Sequence, residues 1–476
     1  MGDEMDKSII IIGGGPAGYT AAIRGAQLGA KVTLVEKDEL GGTCLNCGCI
    51  PTKALYRTAE IVNTLRNIDH FGIRIEGYSI DVNKIHERKR TIVKQLVSGV
   101  QQLLKANKVE VVKGRAQFKN ESTVTVIKDD GSEEDLRGNH IIIAAGSKPM
   151  LPPIPGANLE GIMLSDDILD FTEVPKSLAV IGGGVIGMEF AAIFNALGTK
   201  VTVVEYMTSI LSMADSDIIK RFTAIQKKKG MEIFTSTKVV GIEKSEYEYI
   251  LNCETKKGIT KIAAEKVLLS VGRAPLIEEL NLQAAGIGFD RKGVKVDSNF
   301  RTNVKGIYAI GDINGKAMLA HAAAHHGIKA VEHIVIGRES EDKSVVPSCI
   351  FTFPEIASVG ITEEMAKEQG INYKVGKFLF GANGKALTLG EPEGMVKVIS
   401  KIRDEVEGEN KEEIIGVHIM GPHASDIIHE GSLVVSTGLR VEDVIETIHA
   451  HPTLAEAFSE AVMAIKGQSI HQVNRG

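Results

Sequence analysis

The sequence predicts an α/β protein with two doubly wound units and an α+β region at its C-terminal end. Three observations carry that prediction: a βαβ pattern that occurs twice, a chain of 476 residues, and an ordinary globular composition. Residues 7–36 read KSIIIIGGGPAGYTAAIRGAQLGAKVTLVE, and residues 177–205 read SLAVIGGGVIGMEFAAIFNALGTKVTVVE. Each copy is an apolar strand, a glycine turn, an Ala-rich helix, a glycine near the helix end and a second strand closing on Glu. Gly13, Gly15, Gly18 and Glu36 fall on Gly182, Gly184, Gly187 and Glu205 at one constant offset of 169. At roughly 150 residues per domain the length suggests about three domains. Hydrophobic residues make up 43% and charged residues 24%, a soluble globular mix.

A lone GxGxxG says little in a chain with 50 glycines. Here each copy follows an aliphatic strand, opens a helix, and has an acid 18 residues after its last glycine. Such glycines allow a tight turn and let a pyrophosphate approach the helix N-terminus, where free N–H groups and the dipole favour anions. The terminal carboxylate accepts from ribose hydroxyls. Two full copies imply two Rossmann-like dinucleotide-binding domains. Glu205 also selects: a carboxylate suits a free 2′-hydroxyl and repels a 2′-phosphate, and no arginine follows within ten residues. NAD is therefore expected over NADP.

The remaining chain divides by its strand ends. Segments NHIIIAAG (139–146) and KVLLSVG (266–272) run into glycine, and GIYAIGD (306–312) ends in an acid. A proline-rich stretch at 149–155 reads as a linker. From about Pro347 strands such as 414–420 mix with amphipathic helices at 424–437 and 454–465. The expected division is 1–150, 151–275, a segment 276–346 returning to the first domain, and 347–476. Net charge is −6, and the longest basic block, Lys227 to Lys229, reads as the last turn of a helix, so no nucleic-acid partner is expected. Acidic residues 403–413 read as a solvated hairpin loop. No apolar run approaches the ~20 residues that span a bilayer. The N-terminus lacks a secretory start, and Asp6 stands where a myristoylation signal wants Ser or Thr. Five cysteines, three of them clustered, argue against a secreted disulfide framework and for a reducing cytoplasm.

The cluster is GGTCLNCGCIPTK (41–53), with Cys44, Cys47 and Cys49. On a straight helix positions 44 and 49 would lie ~7.5 Å apart along the axis, at ~1.5 Å per residue. A disulfide wants Cα atoms ~4.4–6.8 Å apart. The 44–49 pair needs a bent turn, which Gly48 permits; the 44–47 pair needs less distortion. A metal knuckle lacks a fourth ligand in sequence reach, and no metal site is expected.

This segment resembles the redox-active disulfide of the flavoprotein disulfide reductases, above all their dihydrolipoamide dehydrogenase branch. The resemblance runs from Lys7 to about Lys466. It implies a 1–150 FAD domain, a 151–275 NAD domain and a 347–476 dimerisation domain. It places the redox pair on Cys44 and Cys49 and leaves Cys47 where the family has a non-cysteine residue. Cys44 would exchange with substrate and Cys49 would face the flavin. HPTLAE places the catalytic base at His451 and its acidic partner at Glu456. Lys53 would sit near the flavin, paired with Glu189. FAD contacts are implied at Gly13, Gly15, Gly18, Glu36, Gly42, Thr43, Lys53, Ala116, Gly146, Asp312 and Ala320. NAD contacts are implied at Gly182, Gly184, Gly187, Glu205, Val239, Gly272 and Arg273. Arg115 with Ala116, Ala322, His326 and Phe353 depart from the family's usual residues. The implied reaction is NAD-linked oxidation of protein-bound dihydrolipoamide by a cytoplasmic homodimer, serving a lipoyl-bearing acyltransferase or H-protein. Glutathione-type relatives prefer NADP, which Glu205 opposes. Mercuric and larger thioredoxin reductases carry a C-terminal cysteine pair that the tail GQSIHQVNRG lacks. A different class, a protein whose cysteines bind zinc or sense oxidants, is the remaining alternative.

Overall fold

Four consecutive isoleucines, Ile9 to Ile12, need apolar cover on both faces of a strand, because successive side chains point to opposite sides. A computed structural model, describing residues 7–339, 345–402 and 412–473, provides it. Ile9 and Ile11 pack among helices, whereas Ile10 and Ile12 pack against Phe118, Val124 and Val126 of an antiparallel meander. The sheet is parallel, in the order Ile307–Ala309, His140–Ile143, Ser8–Ile12, Lys31–Glu36, Glu110–Lys113. Its outermost strand comes from residues that follow the second βαβ unit.

The second unit repeats this logic. Its parallel order is Glu232–Phe234, Lys200–Val204, Ser177–Ile181, Lys266–Leu269, Ile162–Met163. Leu178 and Val180 face helices, and Ala179 and Ile181 face the meander built from Lys238–Lys244, Tyr249–Thr255 and Gly258–Ala264. The two crossings between the units pair with each other: Ser147–Pro149 runs antiparallel to Arg273–Pro275. The proline-rich stretch thus starts in a two-stranded ribbon.

The third sheet is antiparallel, in the order Ser348–Ile350, Glu355–Gly360, Glu412–Gly421, Met395–Ile402, Tyr373–Leu379. Helices Ala424–Thr437 and Glu456–Ile465 cover it. Gly376 lets the second helix lie close, since a Cβ there would stand 1.9 Å from the Ala461 carbonyl oxygen. Of the acidic stretch expected as a solvated loop, residues 403–411 lie outside the described residues. Glu412 and Glu413 are strand instead, and Glu412 is 2% exposed. Lys374 and Lys466 hold its carboxylate at 2.6 and 3.2 Å, which lets a charge occupy that position.

One polar joint ties this sheet to the second unit. Lys397, whose side chain is wholly buried, places its Nζ 2.9 Å from Asp215, 2.7 Å from Asp217 and 2.7 Å from Glu363. Asp215 caps helix Ser216–Lys228, whose cationic end carries Lys227 and Lys228. Among the described residues no helix is long and apolar enough to cross a membrane.

Candidate active site

Both glycine turns use their three glycines alike. Gly13 and Gly182 have φ of +104° and +108°, where a side chain is strained. A Cβ on Gly18 would lie 1.8 Å from the Gly13 carbonyl oxygen, and one on Gly187 2.1 Å from that of Gly182. These contacts press helices Pro16–Gln27 and Val185–Leu197 onto their strands. Gly15 and Gly184, at the helix N-caps, face open space, with only the Gly42 Cα 3.8 Å from a Cβ on Gly15. Each unit therefore presents a bare backbone and a positive helix end to an anion.

The closing carboxylates are also matched. Glu36 accepts from the amides of Gly14 at 2.6 Å and Asp38 at 2.7 Å. Glu205 accepts from Gly183 and Met207, both at 2.6 Å. Each carboxylate is locked by the turn above it.

The cysteine segment abuts the first turn. Gly42, at φ +54°, would bring a Cβ within 2.8 Å of the Gly15 Cα. A short helix, Gly42–Asn46, carries Cys44, and a new helix, Cys49–Arg66, begins at Cys49. The break falls at Cys47 and Gly48. A Cβ on Gly48 would lie 2.9 Å from the Thr43 carbonyl oxygen, so glycine is what lets the two helices fold together. Cys44 and Cys49 thereby meet as thiols within hydrogen-bond reach of one another. The neighbouring Cys49 sulfur, then burial, raises the Cys44 thiol. The Cys44 sulfur, aided by the Lys53 charge and opposed by burial, lowers Cys49 to about 7. Cys47 packs instead against the core of the second unit, and burial first, then the Asp166 charge, pushes its thiol up to about 11.

Lys53 stands one turn after Cys49 on the same helix face. Its Nζ lies 2.9 Å from Glu189 of the second unit and 4.3 Å from the Phe351 ring centroid. Glu189 also accepts from the Phe351 amide at 3.1 Å. Cysteines, lysine and carboxylate thus converge where all three regions of the chain meet.

Other expected residues surround this centre. Gly146 and Gly272 have φ of +76° and +120° and flank the ribbon between the units. Asp312 accepts from the Ser147 hydroxyl at 2.6 Å. Arg273 donates to the Ser147 hydroxyl and carbonyl at 2.8 and 2.7 Å, and lies 3.5 Å from Thr43. Its guanidinium is committed to the seam between the units. Ala320 opens helix Ala320–Ile336. Ala116 and Val239 are buried members of the two meanders, paired across their ladders with Val126 and Cys253. Of the departures, Ala322 and His326 are buried in helix Ala320–Ile336, His326 tilted on Phe300, and Phe353 stacks on Tyr56 with centroids 4.6 Å apart.

His451 lies on the third domain with its side chain 78% exposed. Its Nδ1 is 2.8 Å from Glu456, whose other oxygen accepts from the Thr453 amide at 2.8 Å. Burial opposes ionisation of Glu456, but that amide and the imidazole outweigh it and hold the carboxyl below its usual value. His449 instead pairs with Glu430 at 2.8 Å. Sequence reading missed Asp166 and Phe351. No periodicity or motif marks either one; each matters only through contacts across the fold.

The chain belongs to the pyridine nucleotide-disulphide oxidoreductases: residues 7–327 match that family and residues 346–462 match its dimerisation domain. It is 41% identical to a dihydrolipoyl dehydrogenase of Bacillus subtilis (strain 168), over 99% of this chain and 100% of that one. It is likewise 41% identical to the mitochondrial dihydrolipoyl dehydrogenase 2 of Arabidopsis thaliana, over 98% and 92%. Among solved structures, LpdA of Mycobacterium tuberculosis matches with a TM-score of 0.87 and 25% identity, over 96% of this chain and 99% of that one. The HOCl-induced flavoprotein disulfide reductase RclA of Escherichia coli matches at 0.84 and 27%, over the same shares. Within the family, the chain stands with the dihydrolipoyl dehydrogenases.

Proposed function

We propose that the chain is a FAD-dependent dihydrolipoamide dehydrogenase, oxidising protein-bound dihydrolipoamide to lipoamide and reducing NAD to NADH. The observation that carries this reading is the meeting of Cys44 and Cys49 beside the Lys53–Glu189 pair, next to a glycine cradle. The bare turns at Gly15 and Gly184 and the locked carboxylates Glu36 and Glu205 fit two dinucleotides, FAD in the first unit and NAD in the second. In this reading 1–150 and 276–346 form the FAD domain, 151–275 the NAD domain and 347–476 the dimerisation domain. When bound, the flavin takes two electrons from the enzyme dithiol and passes hydride to NAD.

The chain's own residues perform the sulfur chemistry. His451 takes a proton from one substrate thiol. The resulting thiolate attacks Cys44 of the oxidised pair, forming a mixed disulfide and releasing Cys49 as a thiolate. The second substrate thiol closes lipoamide and frees Cys44; of the two substrate protons one reaches the Cys44 sulfur by way of His451 and the other stays on His451, balancing the Cys49 thiolate. Glu456 orients the ring through its contact with Nδ1. The low Cys49 value suits a sulfur that must leave as an anion. Lys53, held by Glu189, keeps positive charge beside it.

The dimerisation domain makes a homodimer. Within a cell the partner would be a lipoyl-bearing acyltransferase or H-protein in the cytoplasm. A steady-state assay of the purified holoenzyme with dihydrolipoamide and NAD tests the reading, with NADP and glutathione disulfide as controls. Turnover confined to dihydrolipoamide and NAD is expected; preference for glutathione disulfide with NADPH would overturn it.

A further inference from the structure

A lysine carries its charge on a flexible four-carbon stem, so its pose is set by what surrounds it. The Lys53 side chain is 29% exposed, and water competes for its ammonium. Two groups grip it. Glu189 holds Nζ at 2.9 and 3.0 Å, and the Phe351 ring faces it with the centroid 4.3 Å away. These two are tied to each other, because the Phe351 amide donates to Glu189 at 3.1 Å. The ring has supports of its own. It meets Tyr56 edge to face, with centroids 5.9 Å apart, and Tyr56 stacks on Phe353 at 4.6 Å with the planes 6° from parallel. The Tyr56 hydroxyl donates to the Thr352 carbonyl at 3.1 Å. The Phe353 carbonyl accepts from Gln226 at 2.8 Å and from Lys229 at 3.1 Å. Residues 351–353 are therefore pinned from one side by helix Cys49–Arg66, which carries both Lys53 and Tyr56, and from the other by the end of helix Ser216–Lys228.

We propose that Phe351 is a positioning residue whose ring fixes the Lys53 ammonium on the helix face it shares with Cys49, and so keeps a positive charge beside that sulfur. The inference rests on the reading of Cys44 and Cys49 as the redox pair. Lys53 follows Cys49 by four residues on one helix, the spacing at which side chains are neighbours. The charged groups facing Cys49 are Lys53 and Glu189, of opposite sign, next to the Cys44 sulfur. Glu189 steadies the lysine but also cancels its field. An aromatic face attracts an ammonium through the ring quadrupole and brings no net charge. Phe351 therefore adds grip without subtracting from the charge that Cys49 feels. Its place at the head of the third region makes that region a structural support of the thiol centre.

The test uses the FAD-loaded Cys44→Ser protein as parent, in which Cys49 is left as the free thiol of the pair. Its alkylation by iodoacetamide is followed from pH 5 to 9 by peptide mass mapping. Thiolate is the reacting species, so the rate profile gives the Cys49 midpoint. Phe351→Leu, Phe351→Met, Phe351→Tyr, Lys53→Met and the Phe351→Leu, Lys53→Met double variant are made in that parent. Phe351→Leu should raise the midpoint by about half a unit, read as about threefold slower alkylation below it, the size of an exposed cation–π contact. Phe351→Met, which keeps the bulk but not the ring, should do the same. Phe351→Tyr, which keeps the ring face, should match the parent. Lys53→Met should raise the midpoint at least as far, and Phe351→Leu should add nothing to it. A midpoint unmoved by Phe351→Leu and Phe351→Met would overturn the role of the ring. So would an equal rise from Phe351→Leu with and without Lys53, since the ring would then act on Cys49 by packing alone. A parent lacking the long-wavelength band of a thiolate beside flavin would instead overturn the reading of the pair.

Discussion

Cys47 and Glu205 are the single residues on which the chemistry can be cross-examined. Cys47→Val should keep turnover and the long-wavelength band of a thiolate beside flavin, because Cys47 packs against the core of the second unit while Cys44 packs against that of the first. Cys44→Ser and Cys49→Ser should each abolish lipoamide chemistry, and only the Cys44 variant should retain the band. A loss in Cys47→Val equal to the other two would sink the 44–49 assignment. Glu205→Arg should lower kcat/KM for NAD roughly ten- to a hundredfold, since hydrogen bonds to a charged group contribute about 1.5–3 kcal/mol. NADP use should improve, as a phosphate partner appears. Unchanged values for both cofactors would mean that the carboxylate does not reach the ribose. The glycines and closing acids were readable beforehand because each residue's role follows from a short-range pattern. The cysteine pairing was not: spacing favoured 44–47, and only resemblance pointed to 44–49. The helix break that brings those two together depends on the space around Gly48, which no spacing rule encodes.

At the scale of elements, strands and helices followed from their aliphatic runs and turns. Helix Ala424–Thr437 is where periodicity placed it, while the following one starts at Glu456 after a turn tied by Glu456 itself. The joint between strand Met395–Ile402 and helix Ser216–Lys228 was invisible. Lys397 alternates with valines and reads as a solvent-facing lysine, and its partners lie far back in the chain. Removing that ammonium leaves carboxylates uncompensated in a dry place, a change that costs about 3–5 kcal/mol. Lys397→Met should therefore lower the urea midpoint markedly at pH 7. Acid should narrow the gap. Burial opposes ionisation of Asp217 and Glu363, but Lys397 and the other cations outweigh it and hold both at about 2. Carboxyls so lowered stabilise the fold above their unfolded values near ~4 and lose that contribution as pH falls through the folded ones. Wild type should thus lose more stability than Lys397→Met between about pH 4 and about pH 2. Identical pH dependence in the two proteins would show that the cluster contributes nothing.

For the whole molecule, the question is where the base meets the thiol. His451 is largely exposed on the third domain, and the redox pair lies between the other regions. We expect a twofold dimer in which His451 serves the partner's Cys44. Cys44→Ser and His451→Gln chains are each nearly inactive as homodimers in this scheme. Co-expressed in equal amounts, about half the dimers are mixed and each carries one intact site, so about a quarter of wild-type activity should return. No recovery, with mixed dimers confirmed by tagged pull-down, would place base and thiol in one chain. The overall layout was legible from the repeat, but the pairing of the two crossing ribbons and the meeting of three regions at Lys53 depend on tertiary packing. The first sheet also has a history written into it. Its outer strand, Ile307–Ala309, leaves the ribosome after the whole second sheet, whose last strand in chain order is Lys266–Leu269. Domains ordinarily fold in the order of synthesis. Here the downstream unit can close while the upstream one still exposes the strand edge of His140–Ile143, so the nascent first unit waits on its neighbour, and birth order reverses the order of completion.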